Sequence, residues 1–158
     1  MEPDGGDTNP GAEPAGSKRN NRPNKSAGRS ETGSIVLNAP VAVVYGHCCR
    51  FEQLPRFIKS LCSVVKIDDT HFCLTTFERS KQPGIILQIV LRVPERRIAW
   101  QASSSEFPQG VIQFEPLTEH RTEITVKLRS IIEPAMLAQL TREYLANFKQ
   151  FVEGQTLL

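Results

Sequence analysis

Long apolar runs are missing from this chain of 158 residues. Nothing approaches the roughly 20 consecutive apolar residues that a membrane-spanning helix needs, and the N-terminus has no apolar signal core. Neither a transmembrane protein nor a secreted precursor is therefore expected. Apolar side chains are almost absent from residues 1–33, where only Met1, Ala12, Ala15 and Ala27 occur, while six of the ten glycines and four of the eleven prolines fall there. Such a composition cannot bury a core, so 1–33 reads as a disordered tail and 34–158 as one domain, too short to be two. An excess of charge of either sign is missing too: the net charge is +2, and the tail's five acids and five bases cancel. A strongly basic nucleic-acid binder is not indicated. Lys18, Arg19, Arg22, Lys25 and Arg29 do form a short cationic segment, but no aromatic residue interleaves it to stack on bases.

The four cysteines, Cys48, Cys49, Cys62 and Cys73, form no CxxC pair, and no histidine follows them at zinc-finger spacing. Glycine-rich phosphate loops, GxSxG and HExxH are likewise missing. No metal and no cofactor is expected. Cys62 and Cys73 fall on two runs that look like a hairpin. A turn at Asp69-Thr70 would set Lys66, not Cys62, opposite Cys73, which puts a disulfide between them out of reach. Free thiols suit a reducing cytosol, so the cytoplasm is the expected location.

What is present begins at Ser34-Ile35-Val36-Leu37-Asn38, a β-prone run ended by Ala39-Pro40. Pro40 suits the first position of a helix, and Val41, Val44, Tyr45 and Cys48 follow at i, i+3, i+4 and i+7. Phe51 to Ile58, with Pro55 inside, reads as a second, broken helical turn. From Leu61 to Ile131 the periodicity shifts toward two, giving six strands separated by polar turns. The run Ile85 to Val93 is apolar on both faces: Ile85, Leu87, Ile89 and Leu91 on one, Ile86, Gln88, Val90 and Arg92 on the other. The chain finishes in a helix from about Pro134 to Val152, its stripe formed by Leu137, Leu140, Tyr144, Phe148 and Phe151, with Gly154 as terminator.

Asn38-Ala39-Pro40, then Phe51-Glu52-Gln53-Leu54-Pro55-Arg56-Phe57, Arg97-Ile98-Ala99-Trp100 and Phe114-Glu115-Pro116 occur in that order. With the order of elements, they make residues 34 to 153 resemble the polyketide cyclase/dehydrase family. That family belongs to the START-like (helix-grip, SRPBCC) superfamily, alongside coenzyme Q-binding START-like proteins. The resemblance implies an α+β fold: a curved seven-stranded antiparallel sheet gripping the last helix, two short helices after the first strand, and a deep apolar cavity. It implies no single reaction, since members include cyclases and lipid or quinone carriers.

Candidate cavity walls are Phe57 and Ile58 near the mouth, Trp100 and Phe114 on the sheet, and Tyr144 and Phe148 on the last helix. Gln88 and Arg92, sharing a face with Ile86 and Val90, would orient a carbonyl or carboxylate if that face lines the cavity, and Gln113 would join them. For acid–base chemistry the candidates are His71, Glu78, Glu106 and Tyr144. The first three fall in turns or polar connections and are expected to be exposed, where an acid or base is not poised by burial. Three readings follow: a binder of a hydrophobic small molecule (lipid, quinone or polyketide-like), a polyketide-type cyclase/dehydratase or aromatase using Tyr144 and Arg92, and an interaction protein with a basic tail and no ligand.

Overall fold

The computed structural model of the chain describes residues 29–78, 81–105 and 107–156. Strand β1 spans Arg29–Leu37, helix α1 Val41–Cys48 and a 3-10 helix Phe51–Arg56. Strands β2 (Leu61–Asp68), β3 (His71–Thr76), β4 (Ile85–Val93), β5 (Arg97–Ala102), β6 (Gln109–Thr118) and β7 (Arg121–Ser130) follow, and helix α2 covers Pro134–Thr156. The seven strands form one antiparallel sheet in the order β1-β7-β6-β5-β4-β3-β2. Strands β2 to β7 are a meander joined by short turns, and β1 closes the far edge against β7. This is the helix-grip α+β architecture implied by the sequence.

The sheet is two-sided, as the alternation predicts. On β7 the side chains of Thr122, Ile124, Val126, Leu128 and Ser130 are buried, while Lys127 and Arg129 are exposed. The buried face meets α2, α1 and the 3-10 helix in one core containing Leu37, Leu74, Ile98, Ile124, Leu137 and Phe148. α2 crosses β1 closely enough that a β-carbon on Gly33 would lie 2.7 Å from Thr141 Cγ2. Bulges in β2 and between Ile89 and Leu91 bend the sheet.

Several expectations need correction. β1 starts at Arg29 rather than Ser34, so Arg29 to Gly33 pair with β7 and do not belong to a tail. Pro40 is the extended residue before α1 (φ −63°, ψ 151°), not its first residue. α2 continues through Gly154 to Thr156, held at that end by Lys149. Its ammonium donates to Glu153 Oε2 (2.8 Å) and to the Val36 carbonyl (2.6 Å), while the Asn38 N–H donates to the same carboxylate (2.8 Å). A bulge between Lys66 and Asp68 slides the β2–β3 register, so Val65 rather than Lys66 faces Cys73. The thiols are free nonetheless: Cys48 is buried, Cys49 and Cys73 are half-buried and Cys62 is exposed.

Candidate functional site

Between the sheet and the N-terminal half of α2 lies an apolar cavity of about 50 Å³. The inner faces of β4 to β7 supply Leu87, Trp100, Ile112, Val126 and Leu128; α2 supplies Leu140, Thr141 and Tyr144; the 3-10 segment supplies Phe51, Leu54 and Ile58; and the β5–β6 connection adds Phe107 and Pro108. The local sequence explains the placement. Alternation in β6 and β7 turns Ile112, Val126 and Leu128 inward, and the helical spacing of 140, 141 and 144 puts those residues on one face. Gly110 lets the Trp100 ring lie against β6, since a β-carbon there would sit 3.0 Å from Trp100 Cζ2 and 2.5 Å from the Lys127 carbonyl oxygen.

Every polar atom on this wall already has a partner. Trp100 Nε1–H donates to the Pro108 carbonyl (2.9 Å), Thr141 Oγ1–H donates to the Leu137 carbonyl (2.9 Å), and the Tyr144 hydroxyl pairs with Cys48 Sγ (3.6 Å). Burial pushes the Cys48 thiol up to about 12, against the opposing effect of its bond to Tyr144. Burial likewise pushes the Tyr144 phenol well above its ordinary range, reinforced by Cys48. Both groups keep their protons at neutral pH, so the wall offers neither a base nor a charge.

Of the residues singled out from the sequence, Ile58, Trp100 and Tyr144 line the cavity together. Phe57 and Phe148 do not; they are packing. Phe57 sits edge-on to Tyr144, Phe148 and Phe151 with centroids 5.9, 5.4 and 5.4 Å away, and Tyr144 stacks on Phe148 at 5.5 Å. Phe114 is buried against Tyr45 (5.4 Å, edge-on). All three rings are packed on other rings, and none of them borders the void.

Gln88 and Arg92 do not share a face. Gln88 pairs with Gln101 and is exposed on the outer surface of the sheet. The bulge after Ile89 turns Arg92 to the side of Ile98, but at the rim, where its guanidinium donates to the Asp69 carbonyl (2.9 Å). Its charge also opposes the rise of the Tyr45 phenol, which burial and the bond to Cys49 take to about 12. Gln113 lies on the outer face of β6, between the buried Ile112 and Phe114. His71 opens β3 and bonds Asp68 through Nδ1 (2.9 Å). Glu78 is exposed, and Glu106 lies outside the described residues. Among the described residues no group of His, Cys, Asp and Glu is arranged to hold a metal ion. No helix among them is long and apolar enough to cross a membrane.

Sequence reasoning missed two of the residues that stand between the cavity and the surface, Phe107 and Pro108. Phe107, Pro108 and Leu140 wall the cavity on one side and an open groove of about 880 Å³ on the other. The groove runs between the end of β3 and the start of α2, with Lys59, Glu78 and Glu143 on its polar parts. Two large apolar side chains stand exposed in it, Phe77 (64%) and Met136 (58%). Glu143 is anchored there by accepting from the Lys59 backbone N–H at 2.7 Å. Leu140 was legible on the helical stripe. Phe107 follows a serine-rich connection and carries no periodic signal.

No protein-family model and no curated protein matches the sequence significantly. Solved structures share its fold. DR_A0006 from Deinococcus radiodurans is similar at 21% identity over 80% of this chain and 99% of that one, with a TM-score of 0.63. A START superfamily protein from Mycobacterium smegmatis is similar at 15% identity over 81% and 97%, with a TM-score of 0.57. The Aha1 dimer from Colwellia psychrerythraea is similar at 13% identity over 79% and 96%, with a TM-score of 0.62. The fold is START-like.

Proposed function

We propose that the chain binds a small hydrophobic molecule between its sheet and its C-terminal helix, in the lipid, quinone or polyketide-like class, and does so in the cytoplasm. The observation that carries this reading is the adjacency of the two spaces: an apolar cavity beside Trp100 and Tyr144 shares the wall residues Phe107, Pro108 and Leu140 with a wide groove open to solvent. An apolar void beside a partly apolar groove is a usual form of a small-molecule site. The likeness in fold to the START superfamily protein from M. smegmatis supports the same reading. Free thiols throughout the described residues fit a reducing compartment.

The cyclase or aromatase reading gains no support from the site. Tyr144 is its one titratable wall residue, its proton is held by burial, and Arg92 is not on the wall. Native mass spectrometry of the purified protein, before and after incubation with apolar small molecules, tests the binding reading. Adducts are expected on the unaltered protein and not on an Ile112→Trp variant, in which the larger ring occupies the void. Equal adducts on both, or none on either, would overturn it.

A further inference from the structure

We infer that the ligand is an amphiphile whose polar body stays in the outer groove while only a short aliphatic end enters the cavity, and that Phe107 with Leu140 sets that depth. This rests on the ligand-binding reading above and narrows it. Volume decides first. An apolar cavity of about 150 Å³ takes a benzene ring, and the void here is about 50 Å³. A quinone ring or a full acyl chain does not fit in it; the branched or straight end of an alkyl chain does. Chemistry decides second. The wall is hydrocarbon except at the Trp100, Thr141 and Tyr144 polar atoms, each already bonded to the protein, so a ligand oxygen or nitrogen pushed inside would give up its water for at most the spare capacity of the two hydroxyls. Hydrocarbon is the part that enters without that loss.

The groove supplies what the cavity lacks. Its volume of about 880 Å³ accommodates a body far larger than the void does, and Lys59, Glu78, Gln139 and Glu143 offer donors and acceptors in water. Phe77 and Met136 offer exposed apolar contacts beside them. Phe107 and Leu140 are the shared wall, and Pro108 is held by the Trp100 bond. Shortening Phe107 or Leu140 should thin the wall between the two spaces and lengthen the chain that can enter.

A homologous series of n-alkyl glucosides, butyl to decyl, titrated below their micellar concentrations into the full chain, tests this. The single tryptophan, Trp100, reports on the cavity by its fluorescence. Each methylene buried strengthens binding about fourfold. The unaltered protein should show that gain over the first few carbons and then a plateau, and Phe107→Ala or Leu140→Ala should carry the gain to longer chains. Two results would overturn the inference while leaving ligand binding intact: a fourfold gain per carbon all the way to decyl in the unaltered protein, or the same plateau in variants whose thermal melts show them folded. Failure of every glucoside to bind the unaltered protein or either folded variant would overturn both.

Discussion

A β-carbon placed on Gly33 would lie 2.7 Å from Thr141 Cγ2 and 3.0 Å from Leu145 Cδ1, closer than side chains pack. The absence of a side chain there is what lets α2 rest on β1 beside the cavity wall. Gly33→Ala is expected to destabilise the protein by about 1–3 kcal/mol through overpacking. Thr141→Ser removes the clashing methyl and keeps the hydroxyl that bonds Leu137, so the double variant should recover much of the loss. Denaturant melts of the four proteins give the coupling; strictly additive losses would show that Gly33 does not act through Thr141. The same glycine marks how far residues can be read from sequence. Gly33 follows Arg29, Ser30, Glu31 and Thr32, a stretch indistinguishable by composition from the tail, because its partner lies more than 100 positions away. Ile58, Trp100 and Tyr144 were legible because each is a large apolar or aromatic group on an inward periodic position. Phe57, Phe114 and Phe148 carry the same signal and turn out to be packing, since periodicity reports burial and not what a buried ring faces.

Among the elements, the faces of β6 and β7 follow from alternation alone, while those of β4 do not. Its two apolar faces invite a strict count of two, and the bulge after Ile89 breaks that count, sending Arg92 to the other side. A bulge has no fixed residue signature, so alternation carried across one assigns every later side chain wrongly. The turn that follows is also informative. The Arg96 N–H donates to the Val93 carbonyl at 2.9 Å, Pro94 takes the second position and Glu95 has a φ of 62° in the third. That pattern is a type II turn, whose third position favours glycine. Relief of the left-handed conformation outweighs the entropy glycine loses, so Glu95→Gly should stabilise the protein by about 0.5–1 kcal/mol. Thermal melts should show a Tm raised by a few degrees; a lower Tm would contradict the assignment of strain to Glu95. At α2 the expected stop at Gly154 fails because a helical glycine is disfavoured rather than forbidden, and buried Val152 with the Lys149–Glu153 pair holds the last turns in place.

At the scale of the whole molecule, the fold was legible through the resemblance that the order of elements and four short motifs carry. The cavity was not legible in its size. A sheet that grips a helix around a large void and one whose aromatic rings pack on one another have the same periodicity, and here Phe57, Phe114 and Phe148 are buried against other rings. What remains open is the part of the interface bounded by Trp100, Ile112, Leu140 and Tyr144, at the end where the groove begins. Ligand binding at that place is read out by methyl-resolved NMR of the full chain during titration with hexyl glucoside. Shifts should concentrate on Leu87, Ile112, Val126, Leu128 and Leu140, with Met136 at the groove responding as well. Core methyls remote from the cavity wall, such as those of Val44 and Val152, should stay still. Shifts confined to the exposed outer positions Val65 and Ile67, or no shifts at all, would contradict it.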